Sequence, residues 1–259
     1  MSDAALILIT NDDGVNAPGL VALASALDAV AEVAVVAPER ERSAVGHAVT
    51  VTEPLRAWRS RWPDGREVFV VDGTPADCVK IGVKALLERR PDAVVSGINL
   101  GGNAGVNVIY SGTVSAATEA TILGIPAAAI SLDTFTEPDF GPAARVAAWV
   151  VAKVLENGLP AGVLLNVNVP ARAAEEIAGV RITRQSRAVL EDRYEERHDP
   201  RGRRYFWLAA ERMSAPDPRD DDDITALREG YVSITPIHYD LTDEAARGHV
   251  ALWLEESIF

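Results

Sequence analysis

The feature that most constrains this sequence is the alternation of short apolar runs with helical patterns along its first two-thirds. The runs are rich in Val, Ile, Leu and Ala, and they predict strands at residues 5–9, 32–36, 67–71, 92–96, 127–131 and 163–167. Continuous apolar strands separated by helices are typical of a parallel sheet that is covered on both faces. We therefore predict a doubly wound α/β domain, with ligands at the carboxyl ends of its strands.

Helical patterns lie between these runs, at residues 18–30, 75–89, 113–123 and 143–155. The second pattern begins with a recognisable start signal. Thr74 can cap the helix, Pro75 suits its first position, and Asp77 lies in its first turn.

The character of the sequence changes after about residue 170, so we predict a catalytic core at residues 1–170 and an arm-bearing part at residues 171–259. Residues 180–189 and 203–209 predict strands rich in Arg and aromatic residues. The polar stretch 191–202 lies between them, a pattern typical of an extended hairpin or arm.

Three further segments complete the C-terminal part. Residues 217–223 form an acidic run that we interpret as a solvated loop. Residues 230–236 predict a strand that returns to the core. The apolar, amphipathic end at residues 251–259 is expected to pack on a second subunit.

The 259 residues include 38 acidic and 25 basic side chains, which gives a formal net charge of -13. Such a surface repels a long phosphate backbone and argues against nucleic-acid binding. A small phosphate ester is still compatible, because a bound divalent cation reverses the local field. We expect a cytoplasmic protein without a membrane span, since there is no basic leader and no apolar stretch of spanning length.

Three polar clusters follow predicted strands, at the edge where such a sheet binds ligands. The first is Thr-Asn-Asp-Asp-Gly at residues 10–14, where the adjacent carboxylates of Asp12 and Asp13 are costly to ionise unless a positive charge neutralises them. Hard oxygen ligands suit Mg²⁺, Mn²⁺ or Ca²⁺. The same residue types are common in polar turns, so this cluster alone leaves both interpretations open.

The second cluster, residues 38–47, is a charged loop that gains meaning only if its strand neighbours the first strand. In that arrangement Ser43 could offer its hydroxyl to the same cation, and an arginine could face a phosphate. His47, at the end of the loop, is a candidate general acid, although a lone loop histidine is more often structural.

The third cluster combines the glycine- and asparagine-rich residues 96–105 with Tyr-Ser-Gly-Thr at residues 110–113, which open a helix. Glycines let backbone N–H groups approach a ligand, and a helix N-terminus favours an anion. Ser111 or Thr113 could equally cap the helix. The dinucleotide pattern G-x-G-x-x-G is absent, and Asn103 stands where a Walker motif requires lysine.

Several short segments in order carry a family resemblance: ILITNDDG, APERERSAVGH, VDGTPADCVKIG, VSGIN, YSGTVSAATEA, NVNVP, RQSR and GYVSITPIHYDLT. Together they resemble the SurE family of stationary-phase survival proteins, which act as 5′- and 3′-nucleotidases. The resemblance covers residues 6–242. Two positions depart from it, since Gly102 stands where proline is frequent and Asn107 where an acidic residue is common.

The resemblance implies a Rossmann-like core whose C-terminal β-hairpin arm supports a homodimer or homotetramer. It also implies one divalent metal ion per subunit, Mg²⁺ or Mn²⁺, with Asp12 and Asp13 as catalytic residues. The implied metal ligands are Asp12, Asp13, Ser43 and Asn99. The residues expected to contact substrate or phosphate are Asn11, Gly46, Asn103, Ser111, Gly112 and Thr113. The implied substrate is a nucleoside monophosphate, with short polyphosphate as a further candidate.

We expect hydrolysis by a water molecule that is activated at the cation. A covalent aspartyl-phosphate route is disfavoured, because enzymes of the haloacid-dehalogenase type usually place a second Asp two residues after the first. A nucleotide-binding regulator without turnover fits the glycine loop but not the Asp-Asp-Ser-Asn set. A structural module built on the arm predicts that Asp12→Ala leaves all function intact.

Overall fold

The computed structural model describes residues 4–136, 138–215, 217 and 219–255. In chain order, strands β1 to β11 span Leu6–Thr10, Glu32–Pro38, Ala57–Arg61, Glu67–Val71, Ala93–Leu100, Ala127–Asp133, Val163–Pro170, Gly179–Ile182, Val189–His198, Arg204–Ala215 and Tyr231–His238. Helices α1 to α7 span Pro18–Leu27, Pro75–Ile81, Asn107–Tyr110, Gly112–Ile122, Gly141–Asn157, Asp223–Arg228 and Glu244–Ala251. A π-helical turn spans Gly82–Leu86, and 3₁₀ turns span Ala174–Glu176 and Leu252–Glu255.

The main sheet has nine strands in the order β3-β4-β2-β1-β5-β6-β7-β11-β8. From β4 to β7 in this order the neighbouring strands are parallel. At one end β3 pairs antiparallel with β4; towards the other, β11 pairs antiparallel with β7 and parallel with the end strand β8. The chain thus moves outward from β1 in both directions, which confirms the predicted doubly wound, mostly parallel sheet.

Helices cover both faces of this sheet. Ile7 and Ile9 of β1 belong to the apolar cluster that includes residues of α1 and α5, whereas Leu8 belongs to the cluster that includes residues of α2 and α4. Successive strand residues point to opposite faces, so the two clusters are the two sides of the sheet. The carboxyl ends of β1, β2 and β5 remain at one edge, and the three polar clusters follow them there.

Strands β9 and β10 form a separate antiparallel pair, which confirms the predicted C-terminal hairpin. The prediction of one strand over residues 180–189 is wrong, because β8 and β9 are separate elements there. Residues 191–198, predicted as a polar connection, belong to β9. Their side chains are exposed, so the sequence carries no buried-face alternation to mark the strand. The return strand at residues 230–236 is confirmed as β11.

Other boundaries also differ from the predictions. Helix α2 ends at Ile81 and gives way to the π-helical turn, so its predicted extension to Arg89 is wrong. Strand β3 escapes prediction because most of its residues are exposed and polar. The solvated-loop interpretation of residues 217–223 is wrong for Asp222 and Asp223, which are 1% and 0% exposed.

The C-terminal helix α7 buries none of its residues within the described part of the chain. Residues 256–259 lie outside the described residues, so packing of the 251–259 segment on a second subunit stays a prediction. In the ranges that the structure covers, every helix is too short or too polar to cross a bilayer.

Candidate active site

The turn after β1 places one carboxylate inside the protein and the next one near its surface. Asn11 Nδ2 donates to the Gly14 carbonyl oxygen at 3.0 Å and closes the turn. Gly14 has a φ of 100°, a conformation open to glycine. A β-carbon there would lie 3.1 Å from the Arg40 carbonyl carbon, so the turn is tight against the second loop. Asp12 is 4% exposed as a result, and Asp13 is half-buried.

The start of α4 packs directly against Asp12. Thr113 Oγ1 donates a hydrogen bond to Asp12 Oδ1, so this hydroxyl, expected from sequence to contact phosphate, already serves the carboxylate. A β-carbon on Gly112 would lie 2.9 Å from Asp12 Oδ2, and only glycine fits there. From the other side, the Arg42 backbone N–H donates to the Asp12 carbonyl oxygen at 2.7 Å. The first and second loops and α4 therefore meet at one residue.

The two carboxylates share an excess of negative charge. Burial raises the pKa of Asp12 above its ordinary value, against the opposing hydrogen bond from Thr113. Burial and then the charge of Asp12 raise the pKa of Asp13 to about 6, and a backbone hydrogen bond from Leu100 opposes the rise. The charge of Glu41, a residue without a predicted role, adds to the rise of both pKa values. Among the described residues, neither Asp12 nor Asp13 has an ion-pair partner.

Ser43 and Asn99 can each add a neutral oxygen to this edge of the sheet. Ser43 is exposed and donates from Oγ to Glu41 Oε1 at 2.8 Å, which leaves its oxygen lone pairs as acceptors. Asn99 donates from Nδ2 to the Gly101 carbonyl oxygen at 2.7 Å. The amide of Asn99 therefore keeps its carbonyl oxygen as an acceptor, one residue before the Leu100 backbone that contacts Asp13.

The glycine loop after β5 is held by buried amides. The backbone N–H of Asn103 donates to Asn168 Oδ1 at 2.7 Å, and Asn103 Nδ2 donates to Ser131 Oγ at 2.8 Å. Asn166 Nδ2 donates to the Asn103 carbonyl oxygen at 2.7 Å. Asn103, expected to contact phosphate, thus anchors the loop with both its backbone and its side chain. Its partners lie on β6 and β7, far along the sequence, and no local signal announces them.

Ser111 begins α4, and its Oγ accepts a hydrogen bond from the Val114 backbone N–H at 3.1 Å. The capping interpretation from sequence is therefore confirmed for Ser111, and its hydroxyl hydrogen remains able to donate. The Gly46 backbone N–H donates to the Tyr110 carbonyl oxygen at 3.0 Å, and this bond joins the second loop to the segment before α4.

A buried carboxylate that sequence reasoning missed ties down the end of the second loop. His47 Nε2 lies 2.9 Å from Glu119 Oε2, and Lys80 Nζ donates to Glu119 Oε1 at 2.7 Å. Glu119 lies on α4 and is buried. This arrangement favours the structural interpretation of His47. The sequence signal is a single charged residue within a helical pattern of small, hydroxyl-bearing and apolar residues.

These contacts bring all three polar clusters to one edge of the sheet. In the part of the chain that is described, no three His, Cys, Asp or Glu side chains are grouped so as to hold a metal ion. A cation at this edge would therefore depend on hydroxyl and amide oxygens beside the two Asp carboxylates.

Comparison with known proteins identifies the family. A family model described as "Survival protein SurE" matches residues 7–192. The chain belongs to the SurE family.

Curated SurE relatives match almost the whole chain. A protein of Symbiobacterium thermophilum named 5'-nucleotidase SurE is 50% identical, over 92% of this chain and 94% of its own. One of Syntrophotalea carbinolica with the same name is 51% identical, over 92% of this chain and 93% of its own. The crystal structure of the SurE protein from Aquifex aeolicus is similar with a TM-score of 0.83 and 41% identity, and it covers 97% of this chain and 100% of that one.

Proposed function

We propose that this chain is a divalent-metal-dependent nucleotidase that hydrolyses 5′- and 3′-nucleoside monophosphates to nucleoside and phosphate, with short polyphosphate as a further substrate. The observation that carries the proposal is the meeting of two adjacent, uncompensated carboxylates with the N-terminus of a helix at the carboxyl edge of the sheet. The names of the SurE relatives support 5′-nucleotidase activity.

The residues at this edge fit a hard divalent cation, Mg²⁺ or Mn²⁺, one per subunit. Asp12 and Asp13 have raised pKa values and no cationic partner among the described side chains, so a cation would relieve their repulsion. Ser43 and Asn99 keep oxygen acceptors at the same edge of the sheet. Carboxylate, hydroxyl and amide oxygens are the donors that these ions prefer. When bound, such an ion polarises phosphoryl oxygens and makes water more acidic.

Three side chains of the protein have further roles, in orienting Asp12, handling the attacking water and binding the phosphate. The hydroxyl of Thr113 fixes the orientation of Asp12, whose carboxylate is too buried to swing freely. Asp13 is half-buried, so its carboxylate is accessible to orient an attacking water or take its proton. Ser111 can donate its hydroxyl hydrogen to a phosphate oxygen at the N-terminus of α4, where the helix dipole favours negative charge.

The test is phosphate release from a panel of 5′- and 3′-nucleoside monophosphates, with Mg²⁺, Mn²⁺ or EDTA. Release that requires a metal and collapses in folded Asp12→Asn supports the proposal and ranks the nucleotides. Absence of release with either metal, from protein that is shown to be folded, overturns it in favour of a nucleotide-binding regulator. The further proposals of a cytoplasmic location and a homodimer or homotetramer are tested by cell fractionation and light scattering.

A further inference from the structure

Asp223, at the start of α6, is a fully buried carboxylate with no ion-pair partner among the described residues. Its Oδ2 accepts the Gly105 backbone N–H at 3.0 Å, and its Oδ1 accepts the Ser186 backbone N–H at 3.0 Å. Burial raises its pKa, and these hydrogen bonds oppose the rise. One side chain thus joins α6, the segment before β9 and the glycine loop of the candidate site.

Asp223 has a bond within α6, in which its Oδ1 accepts the Ile224 backbone N–H at 2.9 Å, but it is not the capping residue. Asp222 is the N-cap residue, and its Oδ1 accepts the backbone N–H groups of Ile224 and Thr225, each at 3.1 Å. The bonds from Asp223 to Gly105 and Ser186 therefore serve contacts between segments. A buried carboxylate is costly, which makes a purely local role a poor explanation for it.

A second side chain binds the same glycine. Gln185 Nε2 donates to the Gly105 carbonyl oxygen at 2.8 Å, so both backbone polar groups of Gly105 are held by residues beyond β8. Gly105 has a φ of 57°, and a β-carbon there would lie 3.0 Å from Ile224 Cδ1. Residue 105 therefore has a backbone conformation that favours glycine and little space for a larger side chain.

What Gly105 supports is the approach to α4. The Asn107 backbone N–H donates to the Ala104 carbonyl oxygen at 3.2 Å, and the Ser111 N–H donates to the Asn107 carbonyl oxygen at 3.1 Å. Helix α3 therefore begins directly after the turn at Gly105 and is followed by Ser111. Asn99 lies on the other side of Asn103, which the core amides anchor independently.

We infer that Asp223 and Gln185 are positioning residues for the substrate's phosphate group: by holding Gly105 they set the place of Ser111 and the N-terminus of α4. The inference rests on the proposed function. It predicts a difference between the two ligands, because Ser111 is reached through Gly105, whereas Asp13 and Ser43 lie on the loops after β1 and β2 and Asn99 lies near the end of β5. Of the candidate metal ligands, Asp12 has a hydrogen bond to α4, through Thr113.

The experiment measures three quantities in wild type, Asp223→Asn and Gln185→Glu: the KM for AMP, the Kd of inorganic phosphate by calorimetry in the presence of Mn²⁺, and the Kd of Mn²⁺ itself. Both substitutions keep side-chain size. Asp223→Asn leaves a single acceptor oxygen for the N–H groups of Gly105 and Ser186, and Gln185→Glu removes the donor to the Gly105 carbonyl oxygen. The matched control is Asp220→Asn, which makes the same charge change at an exposed position of the acidic run. Circular dichroism checks folding.

We expect Asp223→Asn to raise the KM and the phosphate Kd about tenfold, and Gln185→Glu to raise them about threefold, as one lost buried hydrogen bond implies. The Kd of Mn²⁺ should rise clearly less than the Kd of phosphate, because the Thr113–Asp12 hydrogen bond is the contact that links the candidate metal ligands to α4. In the control variant Asp220→Asn all three quantities should stay within about twofold of wild type, less than the loss of one hydrogen bond would produce. Unchanged phosphate affinity in a folded variant, or an equal loss of Mn²⁺ affinity, overturns the inference. If Asp223→Asn does not fold, the KM for AMP and the phosphate Kd of Gln185→Glu test the inference instead. If wild type shows no turnover, the proposed function fails, and the phosphate Kd still tests the positioning role.

Discussion

Two acidic sites at the same edge of the sheet show how differently the fold treats a carboxylate. Asp77 lies in the first turn of α2, and its oxygens accept the Thr50 N–H and hydroxyl at 2.9 and 2.7 Å and the Thr74 N–H at 3.0 Å. Burial raises its pKa, but these bonds outweigh burial and the net shift is downward. At Asp12 and Asp13 the balance is reversed, and both pKa values are raised.

The number of hydrogen-bond donors around each carboxylate distinguishes a structural carboxylate from a candidate catalytic one. The carboxylate of Asp77 is fully satisfied by a capping box and by Thr50, so its charge stabilises the fold. Asp12 and Asp13 stand side by side with few donors, which destabilises the fold unless a ligand balances them. Carboxylates left in that state are candidates for function.

The largest expected effect is on catalysis. Asp12→Asn should lower kcat/KM for nucleoside monophosphates by at least about 1000-fold, because it removes a charge that a cation and its water depend on. Asp77→Asn should leave kcat/KM within about threefold, since its role is structural. Steady-state kinetics with saturating Mn²⁺ measure both. Equal losses of kcat/KM in the two variants would contradict the distinction between a catalytic Asp12 and a structural Asp77.

The effect of Asp77 should appear in stability. Asp77→Ala removes the acceptor for Thr50 and Thr74, so we expect the free energy of unfolding to fall by about 2–3 kcal/mol. Urea denaturation of the metal-free protein measures it. Asp12→Asn is the reference, and it should match or exceed wild-type stability. A stable Asp77→Ala variant would contradict the structural role.

A smaller effect is expected at the partner of Asp12. Thr113→Val keeps the side-chain shape and removes the hydroxyl that orients the carboxylate, so kcat should fall about tenfold. Thr118→Val is the matched control, because its hydroxyl donates only to the Val114 carbonyl oxygen of the same helix. If both variants lose activity alike, the Thr113 hydroxyl has no special role.

The smallest effect is a pH dependence of stability in metal-free protein. Asp13 has a pKa of about 6 in the folded state and 3.8 as the ordinary value. The folded state therefore binds more protons in this interval, and stability should decrease as pH rises from about 4 to 6. The lowered pKa of Asp77 acts in the opposite sense, and its contribution is lost as pH falls below about 4. Urea midpoints of Asp13→Asn should show a smaller decrease than wild type, because Asp12, whose pKa is also raised, remains; an undiminished decrease would contradict the assignment.

The sequence predicts well where the signal is local. The start of α2 follows from Thr74, Pro75 and Asp77, and the structure contains the full capping box. The parallel strands of the core also follow, because each is a continuous apolar run. Hairpin strand β9 and strand β3 lack such runs, since most of their side chains face solvent, and they could not be assigned correctly.

The candidate site divides in the same way. Asp12 and Asp13 can be recognised from the sequence, because they are adjacent and directly follow a predicted strand. The partners of these and other site residues are distant in sequence: Thr113 lies 101 residues from Asp12, and Asp223 lies 118 residues from Gly105. Such pairs depend on the order of strands in the sheet, which sequence periodicity does not contain. Asp223 was therefore assigned to a solvated loop, although it is buried.

The most direct test of the central claim is a Mn²⁺ titration followed by electron paramagnetic resonance, on wild type, Asp12→Asn and Asp77→Asn. We expect one Mn²⁺ bound per wild-type subunit, an affinity for Mn²⁺ weakened at least about 100-fold in Asp12→Asn, and wild-type affinity in Asp77→Asn. Equal Mn²⁺ affinity in wild type and folded Asp12→Asn would contradict it, because the carboxylates after β1 would then not be the metal site.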